Sequence, residues 1–194
     1  METDTFPRED VQKFLSGMVC VKVNPGKGKD QKKIYDSFGV TGVPTLLLLD
    51  PTGKEIARSG GKPPPAQFVG AFVNPFWNKL VESEKAVDAK GMAENVFMLT
   101  TWFPGTEAFT RAEEMAKRND SNAAFKTALD DLRNAHQRST LLARGNWELR
   151  NGKKKEATAT YQELLAAQPD CKEAEEARKT LKKLGVKLDE PAKK

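Results

Sequence analysis

The sequence predicts an α/β unit followed by an all-helical one, with the change near residue 80. Three observations carry that reading: a β-hairpin signature between Thr45 and Arg58, an amphipathic helical stripe from Phe68 to Leu80, and the loss of strand-like patterning thereafter. At 194 residues, with 38% hydrophobic and 30% charged residues, the chain has a soluble globular composition and room for one large domain or two small ones. The boundaries expected are 1–80 and 81–194.

The first unit reads as βα-ββα. The apolar run Met18–Val23 is of strand length, and Cys20 within it reads as a small buried side chain. Asn24 to Lys29, NPGKGK, is a loop by composition, and Asp30 suits the N-cap of the following helix. Gly26-Lys27-Gly28 lacks the third glycine and the Lys-Ser/Thr pair of a phosphate-binding loop.

Thr45 to Asp50 is an apolar strand, Pro51-Thr52-Gly53 a turn, and Glu55 to Arg58 alternates as a second strand. Val43-Pro44-Thr45 sets a proline at the mouth of the first strand, where it need not donate to the ladder and where a cis peptide is one way to turn the chain. After the stiff connector Lys62-Pro63-Pro64-Pro65, the residues Phe68, Val69, Phe72, Val73, Phe76, Trp77 and Leu80 recur at helical spacing and predict packing on the sheet.

The second unit is expected to hold helices over Glu82–Phe103, Thr106–Arg118, Asn122–Gln137, Thr140–Arg150, Lys154–Gln168 and Lys172–Leu184. Pro104-Gly105, Asn119-Asp120, Asn151-Gly152 and Pro169-Asp170 mark breaks between them.

The order Gly42-Val43-Pro44-Thr45, apolar strand, Asp50-Pro51-Thr52-Gly53-Lys54-Glu55, Gly60-Gly61 resembles the second half of a thioredoxin-fold domain. Lys32 to Val40 is similar to the family's helix before its cis-proline, and Met1 to Val23 to the segment after the active-site cysteines in the disulfide-reductase branch. The resemblance covers roughly residues 1–80. It implies that Val43, Pro44 and Thr45 face a bound substrate strand.

It also implies a nucleophilic cysteine pair that this chain does not contain. The two cysteines, Cys20 and Cys171, lie far apart in sequence, and neither belongs to a CxxC. Cys171 follows Pro169-Asp170 near a helix start, with no His or Cys nearby, and is assigned no reactivity. By the same resemblance the pair would lie just upstream of Met1, and the strand between those matching Met18–Val23 and Thr45–Leu49 would be missing. Such a vacancy leaves rows of unpaired backbone groups. Three outcomes are open: the flanking strands close up, another chain supplies the strand, or the natural protein is longer, through a gene start assigned at an internal methionine or deliberate shortening. The last is the expectation.

Leu141 to Pro169 resembles a tetratricopeptide repeat. With Gly145 at position eight, Gly152 falls at fifteen, Ala157 at twenty, Tyr161 at twenty-four and Pro169 at thirty-two, the family's small-residue and helix-stop positions. Arg144 and Glu148 stand where apolar or aromatic residues are usual. Phe103 to Ala108 resembles a junction between repeats, so that Gly91 to Arg118 reads as a degenerate unit.

The chain therefore reads as a thioredoxin-like protein, redox-inactive in the residues present, that binds a protein or peptide partner through Val43-Pro44-Thr45 and its helical hairpins. The alternative is a thiol–disulfide oxidoreductase whose CxxC lies upstream of residue 1. No cofactor motif occurs. The lone His136, without a cysteine cluster, makes a metal site improbable.

Net charge is +5, but the basic runs Lys27–Lys33, Lys153–Lys155 and Lys179–Lys194 are mixed with acids or near a chain end and read as solvated surface, not a nucleic-acid site. No apolar run is long enough to span a membrane. METDTFPRED has neither the basic start nor the apolar core of a signal peptide. The chain as it stands reads as cytoplasmic, an upstream export signal would make it periplasmic or secreted, and a strand-exchanged homo-oligomer is open.

Overall fold

The computed structural model describes residues 1–186; the end of the basic run, 187–194, lies outside the described residues. The described residues form two compact units, Met1–Leu49 with Glu55–Leu129, and Asp50–Lys54 with residues 130–186.

In the first unit, α1 (Glu9–Leu15) and α2 (Lys29–Ser37) precede the hairpin β1 (Thr45–Leu49) and β2 (Glu55–Gly60). A 3-10 turn over Pro65–Gln67 leads into α3 (Phe68–Lys85), followed by α4 (Ala89–Trp102) and α5 (Glu107–Arg118). The strands pair antiparallel from Thr45↔Gly60 to Leu49↔Glu55, with an irregularity between Leu48 and Leu49, and form the only sheet among the described residues. Asp50 closes the turn: its Oδ1 accepts from the Thr52 N–H at 2.8 Å, the Thr52 hydroxyl at 2.6 Å and the Lys54 N–H at 3.0 Å. Burial pushes the Asp50 carboxyl up, but these bonds outweigh it and hold the group below its ordinary value.

The apolar stripe of α3 is core: Phe68, Phe72, Val73 and Leu80 are buried. They join Val11 and Phe14 of α1, Val96 and Leu99 of α4 with its C-cap Phe103, Ala112 and Met115 of α5, and Phe125 and Leu129 in one cluster. Phe103 stacks on Phe14 with ring centres 6.1 Å apart and planes 5° from parallel. Leu46, Leu48 and Ala57 lay one face of the hairpin against this cluster, as period-two alternation requires.

Met18–Val23 is not a strand. It runs as an irregular segment with Val19 94% and Val21 78% exposed, and Cys20 is exposed rather than buried. A strand exists only by hydrogen bonding to a neighbour, and the sheet contains β1 and β2 alone. The βα-ββα expectation therefore loses its first strand, and the flanking strands do not close up.

Asp30 does not cap α2 either; Gly28 holds the N-cap position with φ 117°, and Asp30 lies in the first turn, where its charge complements the helix dipole. The helix expected over Glu82–Phe103 is two helices. The break is at Val87, which has φ 56°, and Asp88 then caps α4 by accepting the Gly91 N–H at 3.0 Å.

The helices expected over 122–137 and 140–150 are one, α6 (Ala123–Arg150), capped by Asn122, whose Oδ1 accepts from the Phe125 N–H at 3.1 Å. No Gly or Pro interrupts His136-Gln137-Arg138-Ser139, and Ser139 bonds back to the Ala135 carbonyl at 2.9 Å without breaking the turn.

In the second unit the rest of α6 is followed by α7 (Lys154–Ala167) and α8 (Lys172–Lys183). Its core is Leu141, Ala157, Tyr161, Leu164, Ala177 and Leu181. No helix among the described residues is long and apolar enough to cross a membrane. No cluster of three or more His, Cys, Asp or Glu that could hold a metal ion occurs among them.

Candidate partner-binding site

Val43, Pro44 and Thr45 form the entry to β1. The Val43–Pro44 peptide is cis. Val43 is 73% exposed, a high value for a β-branched apolar side chain, and Pro44 is exposed beside it. The segment is nonetheless fixed: the Pro44 carbonyl accepts from the Gly61 N–H at 2.9 Å, and the Thr45 hydroxyl donates to the Gly42 carbonyl at 2.7 Å.

Arg58 of β2 braces the approach to it by donating from Nη2 to the Phe38 carbonyl at 2.6 Å, while its Nε donates to Glu55 Oε1 at 2.9 Å. The hydrogen bond from Arg58 holds the Glu55 carboxyl below its ordinary value. The result is an exposed apolar edge on an anchored backbone. Such an edge can take an extended chain by main-chain pairing and apolar contact; it presents no nucleophile.

Neither cysteine belongs to this segment. Cys20 is exposed on the irregular stretch after α1. Cys171 is the N-cap of α8, its sulfur accepting from the Ala174 N–H and donating to the Gln168 carbonyl, both at 3.3 Å.

The second group of singled-out residues comes together around α6 and α7. Gly145 is buried against Tyr161, and Ala157 and Tyr161 are fully buried. Gly152 makes the α6–α7 turn with φ 76°, a left-handed value that favours glycine. Pro169 is exposed between α7 and α8, its carbonyl accepting from Arg178 Nη2 at 2.7 Å.

Sequence reasoning missed the polar lock beside them. Glu148 is only 5% exposed; its Oε2 accepts from the Thr160 hydroxyl at 2.7 Å and its Oε1 from Arg144 Nε at 2.9 Å. The two residues that depart from the repeat pattern thus satisfy each other, an i, i+4 pairing visible in the sequence. Asn146 was also missed; its Oδ1 accepts from the Tyr161 hydroxyl at 2.7 Å.

Among known proteins, no curated protein and no solved structure matches the chain. Residues 1–74 match the family model of the thioredoxin-like domain, so the N-terminal part of this chain is thioredoxin-like and a helical region follows it.

Proposed function

We propose that this chain binds an extended protein or peptide segment at Val43-Pro44-Thr45 and does not catalyse thiol–disulfide exchange with the residues it contains, because Cys20, although exposed, has no second cysteine near it in sequence to resolve a mixed disulfide. The observation that carries the reading is the 73% exposure of Val43 on a backbone pinned by the Gly61 and Thr45 hydrogen bonds. A pre-formed edge loses little further entropy when a strand adds to it. In this reading the α6–α7 pair, with Gly145, Gly152, Ala157, Tyr161 and Pro169 at its packing and turn positions, is a tetratricopeptide-like hairpin that adds a second contact surface. The thioredoxin-like part then ends near residue 80, and the helices from 81 onward serve the partner.

The test is selection of displayed peptides on the full chain with counter-selection on a Val43→Glu variant, alongside an insulin-reduction assay with dithiothreitol. Apolar extended peptides that bind the parent and lose at least about tenfold in affinity on Val43→Glu support the reading. An exposed change of this kind should leave stability within about 0.5 kcal/mol. Peptides that bind both chains equally would overturn it.

A second reading, thiol–disulfide exchange, is favoured by the thioredoxin-like match and requires a cysteine pair from outside residues 1–194. Insulin reduction by this chain alone would overturn the first reading; activity only in a version extended upstream to include such a pair would establish the second.

A further inference from the structure

We propose that two copies of the chain pair through β1, antiparallel about a two-fold axis at Leu47, to join their hairpins into one four-stranded sheet. The Pro44 carbonyl accepts from the Gly61 N–H and the Asp50 N–H donates to the Lys54 carbonyl, both at 2.9 Å. Positions 44 and 50 therefore turn their main chain toward β2. Alternation along the strand gives Leu46 and Leu48 the same direction and turns the N–H and C=O of Thr45, Leu47 and Leu49 to the opposite edge. The sheet stops at β1, and among the described residues no hydrogen bond reaches those six groups.

This edge is its own complement. Centring an antiparallel pair on Leu47 sets Leu47 opposite Leu47, and Thr45 opposite Leu49 of the other copy, in both directions. Each opposed pair is of the hydrogen-bonded kind, exchanging two bonds, so every outward group on both copies finds a partner. That reciprocity is the condition for a closed, isologous interface.

Charge favours the same occupant. Thr45–Leu49 carries no charged side chain, so self-pairing sets no like charges opposite one another. The other free edge of the sheet belongs to β2, which carries Glu55 and Arg58 and the irregular register near Glu55, the devices that guard an edge strand. Only the β1 edge is unguarded. A second copy matches it in length, register and neutrality, and because Thr45 belongs to both, pairing of two copies and a peptide strand at Val43-Pro44-Thr45 exclude each other, the peptide taking the single-chain form.

The test is light scattering and sedimentation on the full chain across a dilution series, with amide hydrogen exchange at the same concentrations. The expected result is a mass of twice 21.5 kDa that falls to the single-chain value on dilution, together with loss of about tenfold or more in protection at the Leu47 and Leu49 amides. Leu47→Lys sets two like charges opposite each other, and Leu47→Pro deletes an outward N–H without touching an amide that bonds β2. Both should be monomers with unchanged far-ultraviolet circular dichroism.

The proposal is overturned by a single-chain mass at every concentration, by a mass that grows without limit, or by a dimer that folded variants leave intact. Unprotected Leu47 and Leu49 amides in a dimer overturn it as well. If either variant fails to fold, the exchange pattern of the unmodified chain decides alone.

Discussion

The ring of Tyr161 occupies the space that a side chain at Gly145 would need: a Cβ on Gly145 would lie 2.5 Å from Tyr161 Cε1 and 2.9 Å from Cδ1. Because Tyr161 is fully buried and its hydroxyl is tied to Asn146, the ring cannot swing away. Gly145→Ala should therefore destabilise. Overpacking costs about 1–3 kcal/mol. The better helix propensity of alanine returns up to about 1 kcal/mol. A net loss of about 1–2 kcal/mol in urea unfolding is expected from those two terms. Tyr161→Phe keeps the ring and loses only the bond to Asn146, for a loss of about 1 kcal/mol. An alanine variant as stable as the parent would show that α6 and α7 are less closely packed.

The Glu148 carboxylate should make stability acid-sensitive through Thr160. The Thr160 hydroxyl is the largest influence, burial opposes it, and Arg144 adds to it, so that the carboxyl sits below its ordinary value of 4.5. A folded value below the unfolded one contributes stability that is complete above the unfolded value and is lost as pH falls through the folded one. Thr160→Val should accordingly lower the urea midpoint at neutral pH, and its gap to the parent should close as pH drops below 4.5. A gap independent of pH would assign the loss to packing alone.

These locks show how much was legible in the sequence. The hairpin was, because Pro51-Thr52-Gly53 is a turn by residue chemistry and Leu46 and Leu48 share a face by alternation. The α3 stripe was, because its period admits one helix face. Met18–Val23 was misread because an apolar run reports propensity, whereas a strand depends on a neighbour that this sheet does not supply. Cys20 went with it: its burial was inferred from a strand that does not form. The Val87 break was hidden because valine is not a helix-stop residue, and the unity of α6 was hidden because a helix end was placed where no breaker stands. At the site, Val43-Pro44-Thr45 was legible as a segment, while the pinning by Gly61 and Arg58 is a tertiary relationship.

Val87 offers a gain in stability. A β-branched side chain at φ 56° meets the following carbonyl, at a cost of roughly 1–2 kcal/mol. The side chain is 79% exposed, so little packing is lost on replacing it. Val87→Asn, which tolerates the left-handed region, should raise stability by about 0.5–1 kcal/mol without altering the cap at Asp88. Thermal unfolding checks it, and an unchanged or lowered midpoint would mean that the α3–α4 turn relaxes by another route.

Thiol labelling separates the two cysteines. Cys20 is exposed on an irregular segment, whereas Cys171 is half-buried with its sulfur engaged by Ala174 and Gln168. A chromogenic disulfide reagent should modify one thiol per chain in a fast phase that Cys20→Ser abolishes, leaving a slow phase from Cys171. Replacing the cap then tests its weight: Cys171→Ser retains an acceptor of the preferred kind and should be neutral or stabilising, while Cys171→Ala should cost about 1 kcal/mol. If Cys20 instead labels slowly, the segment after α1 is covered in solution, and because Val19 and Val21 flank it, the cover would be an apolar surface of a second molecule.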